Sequence, residues 1–336
     1  MATPYEDDIN DQPAALRGFA SAPEETGLDT RDLDQFDRLI LTGMGTSHYA
    51  ALPTWRNFAR RGRPVWWIDT THLLDTPELI TDRTLLWITS QSGRSGEITA
   101  LLDRLASRRS AVTLLAVTND TTSPLARSAD HVVAIYAGTE ATVSTKTYLN
   151  TLAAHQVVLA TLLGLAPNRV RSHAATIAEA LRTWLHEPGP LTSALAAQAL
   201  GAPAPRLALI GAGDQLASAL TGALILKEAA KVPAEAYTAG EFRHGPLELA
   251  GPGLTAILIN DSTSTANDLT GLSATLRDTG ATVTALTTPP TGPARTPLGK
   301  LVYTTQALQR FSVAAARANA VTPGEFRYGS KVTRTR

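Results

Sequence analysis

One short pattern occurs twice in this chain and restricts its fold more than any other feature. RLILTGMGTS (38–47) and RLALIGAGDQ (206–215) each join an apolar run to a Gly-x-Gly pair, and a helical pattern follows. A strand that passes through a glycine turn into a helix is typical of α/β proteins. Because Gly211 lies 168 residues after Gly43, we interpret the pattern as an internal duplication.

Each copy of the pattern opens a series of alternating strands and helices. In the first half, strands are predicted at RLILTGMG, VWWIDTTH, TLLWITSQSG (Thr84–Gly93), AVTLLAVTN and HVVAIYAG, with helices at Ser47–Arg61 and Glu97–Ser107. In the second half, strands are predicted at RLALIGAG, LTAILIND (Leu254–Asp261), TVTALTT (Thr282–Thr288) and KLVYTTQ (Lys300–Gln306). Strands separated by helices indicate parallel sheets. The predicted fold class is therefore α/β, with two tandem lobes that each hold a doubly wound, mostly parallel five-stranded sheet flanked by helices.

The same patterns divide the chain into five segments. They are an N-terminal arm (1–36) with one short helix near Ala14–Phe19, a first lobe (37–165), a helical linker (166–204), a second lobe (205–320) and a C-terminal tail (321–336). The linker contains two predicted helices, Arg169–Leu185 and Leu191–Leu200.

Composition excludes several classes of function. The 30 basic residues balance the 30 acidic ones, so we expect neither a nucleic acid nor an anionic membrane surface as partner. The absence of cysteine excludes disulfides and thiolate chemistry. No signal peptide or transmembrane run is recognisable, which predicts a cytoplasmic protein. The seven histidines show no metal-binding spacing, so we expect no metal and no other cofactor.

Three loops rich in hydroxyl groups follow predicted strands of the first lobe. They are Gly43–Ser47, Ser90–Ser95 and Thr142–Thr145, and their Ser and Thr side chains are candidate ligand-binding groups. In doubly wound sheets, ligands bind beyond the carboxyl ends of the strands. A phosphate monoester there can accept hydrogen bonds from hydroxyls and from the first backbone amides of a helix. The same residue types are also favoured N-caps, so one such loop alone would indicate little.

The segment Leu226–Pro246, LKEAAKVPAEAYTAGEFRHGP, concentrates ionisable side chains. Lys227 and Glu228 are predicted near a helix C-terminus, and Glu241 and His244 share one face if Gly240 begins a helical turn. A carboxylate and an imidazole can move protons at neutral pH, as an isomerase requires. A solvated loop with ordinary surface charges is the structural alternative.

Two common nucleotide-binding motifs do not match this sequence. GMGTSH follows a strand, but His48 stands where a dinucleotide-binding turn has its third glycine, and Leu216 stands there in the second copy. The chain contains no GxxxxGK[ST] motif, which argues against a P-loop nucleotide site.

Five stretches in order, GMGTS, SQSGRSGE, STKTYL, LKEAAKVPAEAYTAGEFRHGPLEL and SKVT, resemble the sugar isomerase (SIS) domain family. The resemblance covers about Arg38 to the C-terminus. It is strongest to the isomerase half of glucosamine-6-phosphate synthase and to stand-alone relatives of the glucosamine-6-phosphate deaminase type. It implies two SIS lobes, a homodimer and a sugar 6-phosphate as ligand.

The resemblance also implies roles for individual residues. Phosphate and sugar contacts fall on Ser47, Ser90, Gln91, Ser92, Ser95 and Ser144. The base that moves a proton between C1 and C2 falls on Glu228, the ring-opening histidine on His244 and a C-terminal lysine on Lys331. In relatives the histidine acts in the site of the neighbouring subunit. Thr46, Lys227 and Glu241 are supporting candidates.

Two positions depart from the pattern of the family. Arg94 stands where close relatives carry an acidic residue, and Ile225 stands where the synthase has an additional lysine. Without cysteine, we expect this chain not to hydrolyse glutamine. The function predicted from sequence is an isomerase and deaminase of an amino-sugar 6-phosphate. A fructosamine-6-phosphate deglycase, a sugar-phosphate isomerase of a specialised pathway and a non-catalytic sugar-phosphate sensor are the alternatives.

The tail carries one further expectation. Phe326 and Tyr328 are expected to anchor it, so that Lys331 reaches the sugar as part of a lid that orders on binding. Termini of this kind usually contribute little to stability, so we expect deletion of residues 330–336 to leave the melting temperature almost unchanged.

Overall fold

A computed structural model of the chain describes residues 1–23, 27–106, 111–202, 204–260 and 266–333. Two parallel β-sheets flanked by helices form within these ranges, which confirms the predicted α/β fold with two lobes. The predicted element ends at Ser107 and Asp261, and the last three residues of the tail, lie outside the described residues.

The first sheet has five parallel strands, the predicted number, and their order is β2-β1-β3-β4-β5. They are β1 (Arg38–Gly43), β2 (Val65–Trp67), β3 (Thr84–Thr89), β4 (Val112–Thr118) and β5 (His131–Ala134). The helices of this half are α1 (Pro4–Asn10), α2 (Gln12–Ser21), α3 (Gly45–Ala50), α4 (Leu52–Ala59), α5 (Thr70–Asp75), α6 (Gly96–Leu105), α7 (Pro124–Ser128) and α8 (Lys146–Leu162). Every residue of β3 is buried, as expected for a central parallel strand.

The second sheet has four strands in the described part of the chain rather than the five predicted, in the order β7-β6-β8-β9. They are β6 (Arg206–Gly211), β7 (Ala234–Tyr237), β8 (Leu254–Asn260) and β9 (Thr282–Thr287). The accompanying helices are α9 (Pro167–Trp184), α10 (Ser193–Gly201), α11 (Leu216–Ala230), α12 (Ala239–Arg243), α13 (Ala266–Asp278) and α14 (Pro297–Ala318). Leu207, Leu209 and Ile257 pack toward α11 and α14, whereas Ala208 and Ile210 pack toward α13. Helices therefore cover both faces of this sheet.

The two Gly-x-Gly turns have matching geometry, which supports the duplication. Gly45 and Gly213 both adopt left-handed backbone conformations, with φ of +52° and +60°. A Cβ atom on Gly43 would lie 2.7 Å from the carbonyl oxygen of Thr89, and one on Gly211 would lie 2.5 Å from that of Gln215. Each strand can therefore enter its helix this tightly only with glycine at that position.

The strand predicted at Lys300–Gln306 is wrong, because these residues belong to the 22-residue helix α14. Threonine and tyrosine favour strands, but the Thr296 side chain caps the helix and Pro297 begins it. Thr304 also hydrogen-bonds the carbonyl oxygen of Lys300 one turn earlier. The second sheet instead gains β7, a four-residue strand that was not predicted.

The N-terminal arm contains two helices rather than the single one predicted. Helix α1 begins with a capping box, in which Thr3 and Glu6 each bond the backbone amide of the other.

The chain divides into two compact units. One contains residues 1–13, 141–145 and 176–328, and the other contains residues 14–140, 146–175 and 329–336. The predicted five-segment division stays a prediction.

No described helix is long and apolar enough to cross a lipid bilayer. Helix α8 is instead a buried helix of the fold, with fourteen buried residues that include His155. The imidazole of His155 stacks on Trp87, with ring centroids 4.6 Å apart, and its Nε2 lies 2.9 Å from Oγ1 of Thr89. Burial lowers the pKa of His155 to about 3. A second buried histidine, His48, stacks on Trp67, and burial lowers its pKa to about 4.

These two histidines predict acid sensitivity of the fold. Both take up a proton near pH 6.5 in the unfolded chain, whereas the folded chain keeps them neutral to about pH 4 and about pH 3. The unfolded state therefore binds more protons, and stability falls as the pH falls below 6.5. Each histidine should contribute up to about 1.4 kcal/mol per pH unit.

His155→Phe tests this expectation, because phenylalanine can still stack on Trp87 but cannot titrate. Urea unfolding between pH 6.5 and pH 4 should show a slope smaller by about one proton than that of the unsubstituted protein. Equal slopes in the two proteins would remove His155 as a source of acid sensitivity.

Candidate active site

The loop Ser90–Ser95 joins the buried strand β3 to helix α6. Its shape depends on Gly93, which has φ of +58° and lies so close to Ser123 that a Cβ would be 2.2 Å from the Ser123 Oγ. The carbonyl oxygen of Gln91 accepts a hydrogen bond from the Asn119 amide at 3.0 Å. Contacts with the loop that follows β4 therefore hold this loop in position.

Two hydroxyls of this loop accept hydrogen bonds from the loop itself. Ser90 Oγ accepts from the Gly93 amide at 3.1 Å, and Ser92 Oγ accepts from the Arg94 amide at 3.2 Å. A hydroxyl that accepts in this way can still donate its own hydrogen. Ser95 occupies the N-cap of α6 without a side-chain capping bond. The predicted phosphate-binding side chains thus include oriented donors beside the positive end of a helix.

Arg94 is held by an acidic neighbour. Its guanidinium donates to Oδ2 of Asp120 from Nε at 3.1 Å and from Nη2 at 2.7 Å. Oδ1 of Asp120 accepts from the amide and the hydroxyl of Thr122, and these bonds, followed by Arg94, lower the pKa of Asp120 to about 2. This ion pair balances the positive charge of Arg94, which departs from the family pattern. Sequence analysis did not identify Asp120.

Thr46 and Ser47 lie in the first turn of α3, directly after the glycine turn of β1. Both are half-buried, so their side chains are not enclosed by the core. The registers Gly43 with Thr89 and Thr89 with Val117 align the ends of the three central strands. The turn with Ser47 and the loop with Ser90 therefore begin at the same edge of the sheet, as predicted.

Ser144 lies in the segment Ala141–Thr145, which belongs to the unit with the second sheet. The segment is fixed at both ends, since Val143 and Thr145 are buried and the Ala141 amide donates to Oδ2 of Asp8 at 2.7 Å. Ser144 itself is half-buried.

Glu228 lies in the last turn of α11, as predicted, and is half-buried. Lys227 is exposed and forms a 3.4 Å ion pair with Glu235 of β7. Lys231 ends the helix with φ of +57°, and its ammonium donates to the carbonyl oxygens of Glu228 and Glu325. Ile225 is fully buried, so the departure from the family pattern places an apolar side chain in the core.

Glu241 lies in the short helix α12 and His244 follows its last residue, which confirms the predicted helical turn. Glu241 forms a capping box with Thr238, accepting from the Thr238 amide at 2.7 Å. His244 is the C-cap residue, and its amide donates to the carbonyl oxygen of Glu241. The Glu241 carboxylate therefore has a structural role in this turn, while the exposed imidazole of His244 is accessible from solvent.

The tail brings Lys331 against a residue that sequence analysis missed. The ammonium of Lys331 donates to Oε2 of Glu140, whose side chain is fully buried while that of Lys331 is 24% exposed. Glu140 also accepts from the amide of Thr147 at 3.0 Å and from its hydroxyl at 2.6 Å. Further along, the carbonyl oxygen of Thr333 accepts from the Gly96 amide at 3.1 Å, at the start of α6.

The expected anchors of the tail behave differently from each other. Phe326 is half-buried, but Tyr328 is fully exposed, so the prediction that Tyr328 anchors the tail is wrong. A charged contact, rather than an aromatic one, holds this part of the tail.

Among the described residues, no three His, Asp or Glu side chains are grouped to hold a metal ion.

Comparison with known proteins gives a family match. A model of the SIS domain matches residues 32–161 and 202–297. The isomerizing glutamine–fructose-6-phosphate aminotransferase of Symbiobacterium thermophilum is 32% identical over 271 residues, which are 75% of this chain and 44% of that protein. The chain therefore spans less than half the length of this relative.

Two solved structures share the fold. The C-terminal domain of glucosamine-fructose-6-phosphate aminotransferase from Francisella tularensis has a TM-score of 0.78 at 19% identity, covering 97% of this chain and 99% of that chain. Glucosamine-6-phosphate deaminase from Thermotoga maritima has a TM-score of 0.76 at 19% identity, covering 99% and 100%. The family match includes both glycine turns, the hydroxyl-bearing loops and the helix with Glu228, and the chain therefore belongs to the SIS domain family.

Proposed function

We propose that this protein isomerises and deaminates an amino-sugar 6-phosphate, with glucosamine 6-phosphate and water giving fructose 6-phosphate and ammonia as the simplest case. The loop Ser90–Ser95 carries the proposal. Its hydroxyls accept from the loop's own amides and so keep hydrogens to donate to a phosphate beside the start of α6. The similarity to a deaminase and to an isomerizing aminotransferase supports this choice.

The proposed chemistry needs a base rather than a redox group. Opening of the sugar ring exposes an aldehyde at C1, which makes the proton on C2 acidic. Glu228 takes this proton and returns it to C1 through an enolamine, so the C2 amine becomes an imine. Water adds to the imine and ammonia leaves, which gives the ketose. His244 opens the ring, and Lys331 supports that step.

We also propose that the protein acts as a homodimer. His244 is exposed at the end of α12, which suits a side chain that acts in the site of the neighbouring subunit. Ser47, Ser90, Gln91, Ser92, Ser95 and Ser144 bind the sugar phosphate in this scheme, and Thr46 and Lys227 support them. The cytoplasmic location stays a prediction.

A fructosamine 6-phosphate that releases an amine other than ammonia is the alternative substrate. The resemblance places a lysine of the synthase at position 225, and the buried isoleucine of this chain removes that cation. The same proton transfer would serve this deglycase reaction.

A substrate panel tests the proposal and separates its alternatives. We expect a hexosamine 6-phosphate to release ammonia and ketose phosphate, and the unphosphorylated hexosamine to react at least about tenfold less efficiently, because charged hydrogen bonds to phosphate contribute about 1.5–3 kcal/mol each. Release of an amine only from fructosamine 6-phosphates would favour the deglycase. Tight binding without turnover of any sugar phosphate would favour the sensor and contradict the proposal.

Substitution of the proposed base gives a second test. Glu228→Gln should keep substrate binding and lose about 10²- to 10⁴-fold in kcat, because an amide cannot accept the C2 proton. Exchange of solvent deuterium into the substrate should be lost in parallel. Glu235→Gln is the matched control, since Glu235 is an exposed carboxylate of the same segment. Undiminished exchange in Glu228→Gln would remove Glu228 from the role of base.

Because Lys331 pairs with a buried carboxylate, we now expect removal of Lys331 to lower stability, whereas the sequence alone predicted almost no change in melting temperature on deletion of residues 330–336. Without Lys331, the fully buried carboxylate of Glu140 keeps Thr147 but loses the ion pair with the Lys331 ammonium. Lys331→Ala should therefore lower the free energy of unfolding by about 3 kcal/mol, at the low end for a broken buried ion pair. It should also lower kcat at least about tenfold.

A double-mutant cycle separates these effects. Glu140→Gln retains an oxygen for Thr147 but removes the charge that attracts Lys331. Combining it with Lys331→Ala should restore much of the stability lost in the single variant, while kcat stays low. Additive losses of stability would show that the two side chains are not coupled.

A further inference from the structure

The N-terminal arm shows no catalytic motif, yet its first helix is held by side-chain contacts. An isolated helix of seven residues is not stable in water. Helix α1 is instead fixed to α14, since the Tyr5 hydroxyl lies 2.9 Å from Oγ of Ser312. Gln12, the first residue of α2, also donates to the amide oxygen of Gln309 in α14. Tyr5 is fully buried. Residues 1–13 of the arm therefore have a defined position within the unit that contains the second sheet.

One carboxylate of this helix contacts a loop of the candidate site. Asp8 is 7% exposed, and its Oδ2 accepts a hydrogen bond of 2.7 Å from the Ala141 amide. The contact joins residues 133 positions apart. Ala141 begins the segment that carries Ser144. A hydrogen bond to a charged acceptor is among the stronger ones in proteins, so it can fix where this segment begins.

The same helix also supports the turn that leads into the tail. Gly324 has φ of +79°, and a Cβ there would lie 2.3 Å from Cβ of Tyr5 and 3.1 Å from Oγ1 of Thr142. The Gly324 amide donates to the carbonyl oxygen of Ala229, the residue after Glu228, at 3.1 Å. The arm, the segment with Ser144 and the end of α11 therefore meet around this glycine.

We infer that Asp8 is a positioning residue, and that the arm sets the position of Ser144 for phosphate binding. The inference rests on the proposed function. Asp8 does not contact the substrate in this scheme. It holds the Ala141 amide, and through it the segment 141–145, in the arrangement that binds the sugar phosphate.

Three variants test the inference. Asp8→Ala removes the acceptor, Asp8→Asn retains an uncharged oxygen acceptor, and Asp7→Ala removes a neighbouring carboxylate that is exposed. We expect Asp8→Ala to raise KM for the sugar phosphate about tenfold while kcat changes less than about twofold. Asp8→Asn should recover most of the affinity, and Asp7→Ala should match the unsubstituted protein.

Hydrogen exchange gives a readout that does not need turnover. In Asp8→Ala, the Ala141 amide should exchange faster, while amides of the central strands β6 and β8 keep their protection. Unchanged exchange at Ala141 together with unchanged KM, or equal effects of Asp7→Ala and Asp8→Ala, would overturn the inference.

Failure of the proposed function would look different. If the unsubstituted protein turns over no sugar phosphate, the proposed reaction fails. Calorimetric titration with a sugar phosphate and with inorganic phosphate would then replace KM. Weaker binding by Asp8→Ala, with faster exchange at Ala141, would still support the positioning role, and equal affinities with equal exchange would refute it.

Discussion

Close contact between β1 and β3 is the constraint on which the first lobe's candidate site depends. The registers of the three central strands align Gly43, Thr89 and Val117. A Cβ at Gly43 would be 2.7 Å from the Thr89 carbonyl oxygen, so only glycine permits this approach. The turn with Thr46 and Ser47 begins immediately after it. A larger residue at this position would therefore displace a strand end and the hydroxyls that follow.

Carboxylates provide directional contacts to several loops that carry candidate site residues. Asp120 holds Arg94, Glu140 holds Thr147 and Lys331, and Asp8 holds the Ala141 amide. Hydrogen bonds are directional, so they can fix a loop that has too few apolar side chains to pack. Glu140 is fully buried, so each of its bonds also offsets the cost of removing a charge from water.

The sequence predicted most of the fold because the central parallel strands of both sheets are buried. Such strands appear as continuous apolar runs, and LILTG, LLWIT and LALIG were recognisable for this reason. Lys300–Gln306 has the composition of a strand, but helix caps and packing determine its conformation. The strand β7 was missed because Ala234–Tyr237 is short and contains two alanines.

The candidate site was predictable only where its signals are local. The hydroxyl loops were found from spacing within a few residues, and α12 from Gly240, Glu241 and His244. The contact of Glu140 with Lys331 joins residues 191 positions apart, and that of Asp8 with Ala141 joins residues 133 positions apart. A single sequence contains no local pattern that reports such pairs. The acceptor that Asp8 offers to the start of the segment 141–145 can therefore be read only from the structure, where the Ala141 amide donates to it.

The duplicated turns show how the two lobes have diverged. Ser47 follows the first turn and is half-buried, whereas Gln215 occupies the same position in the second and is 1% exposed. Gln215 accepts a hydrogen bond of 2.8 Å from Thr304 of α14, and Thr304 also bonds Ser218 of α11. The side chain that faces a ligand in our proposal for the first copy thus joins two helices in the second. The second copy of the turn thus stabilises the start of α11, the helix whose last turn carries Glu228.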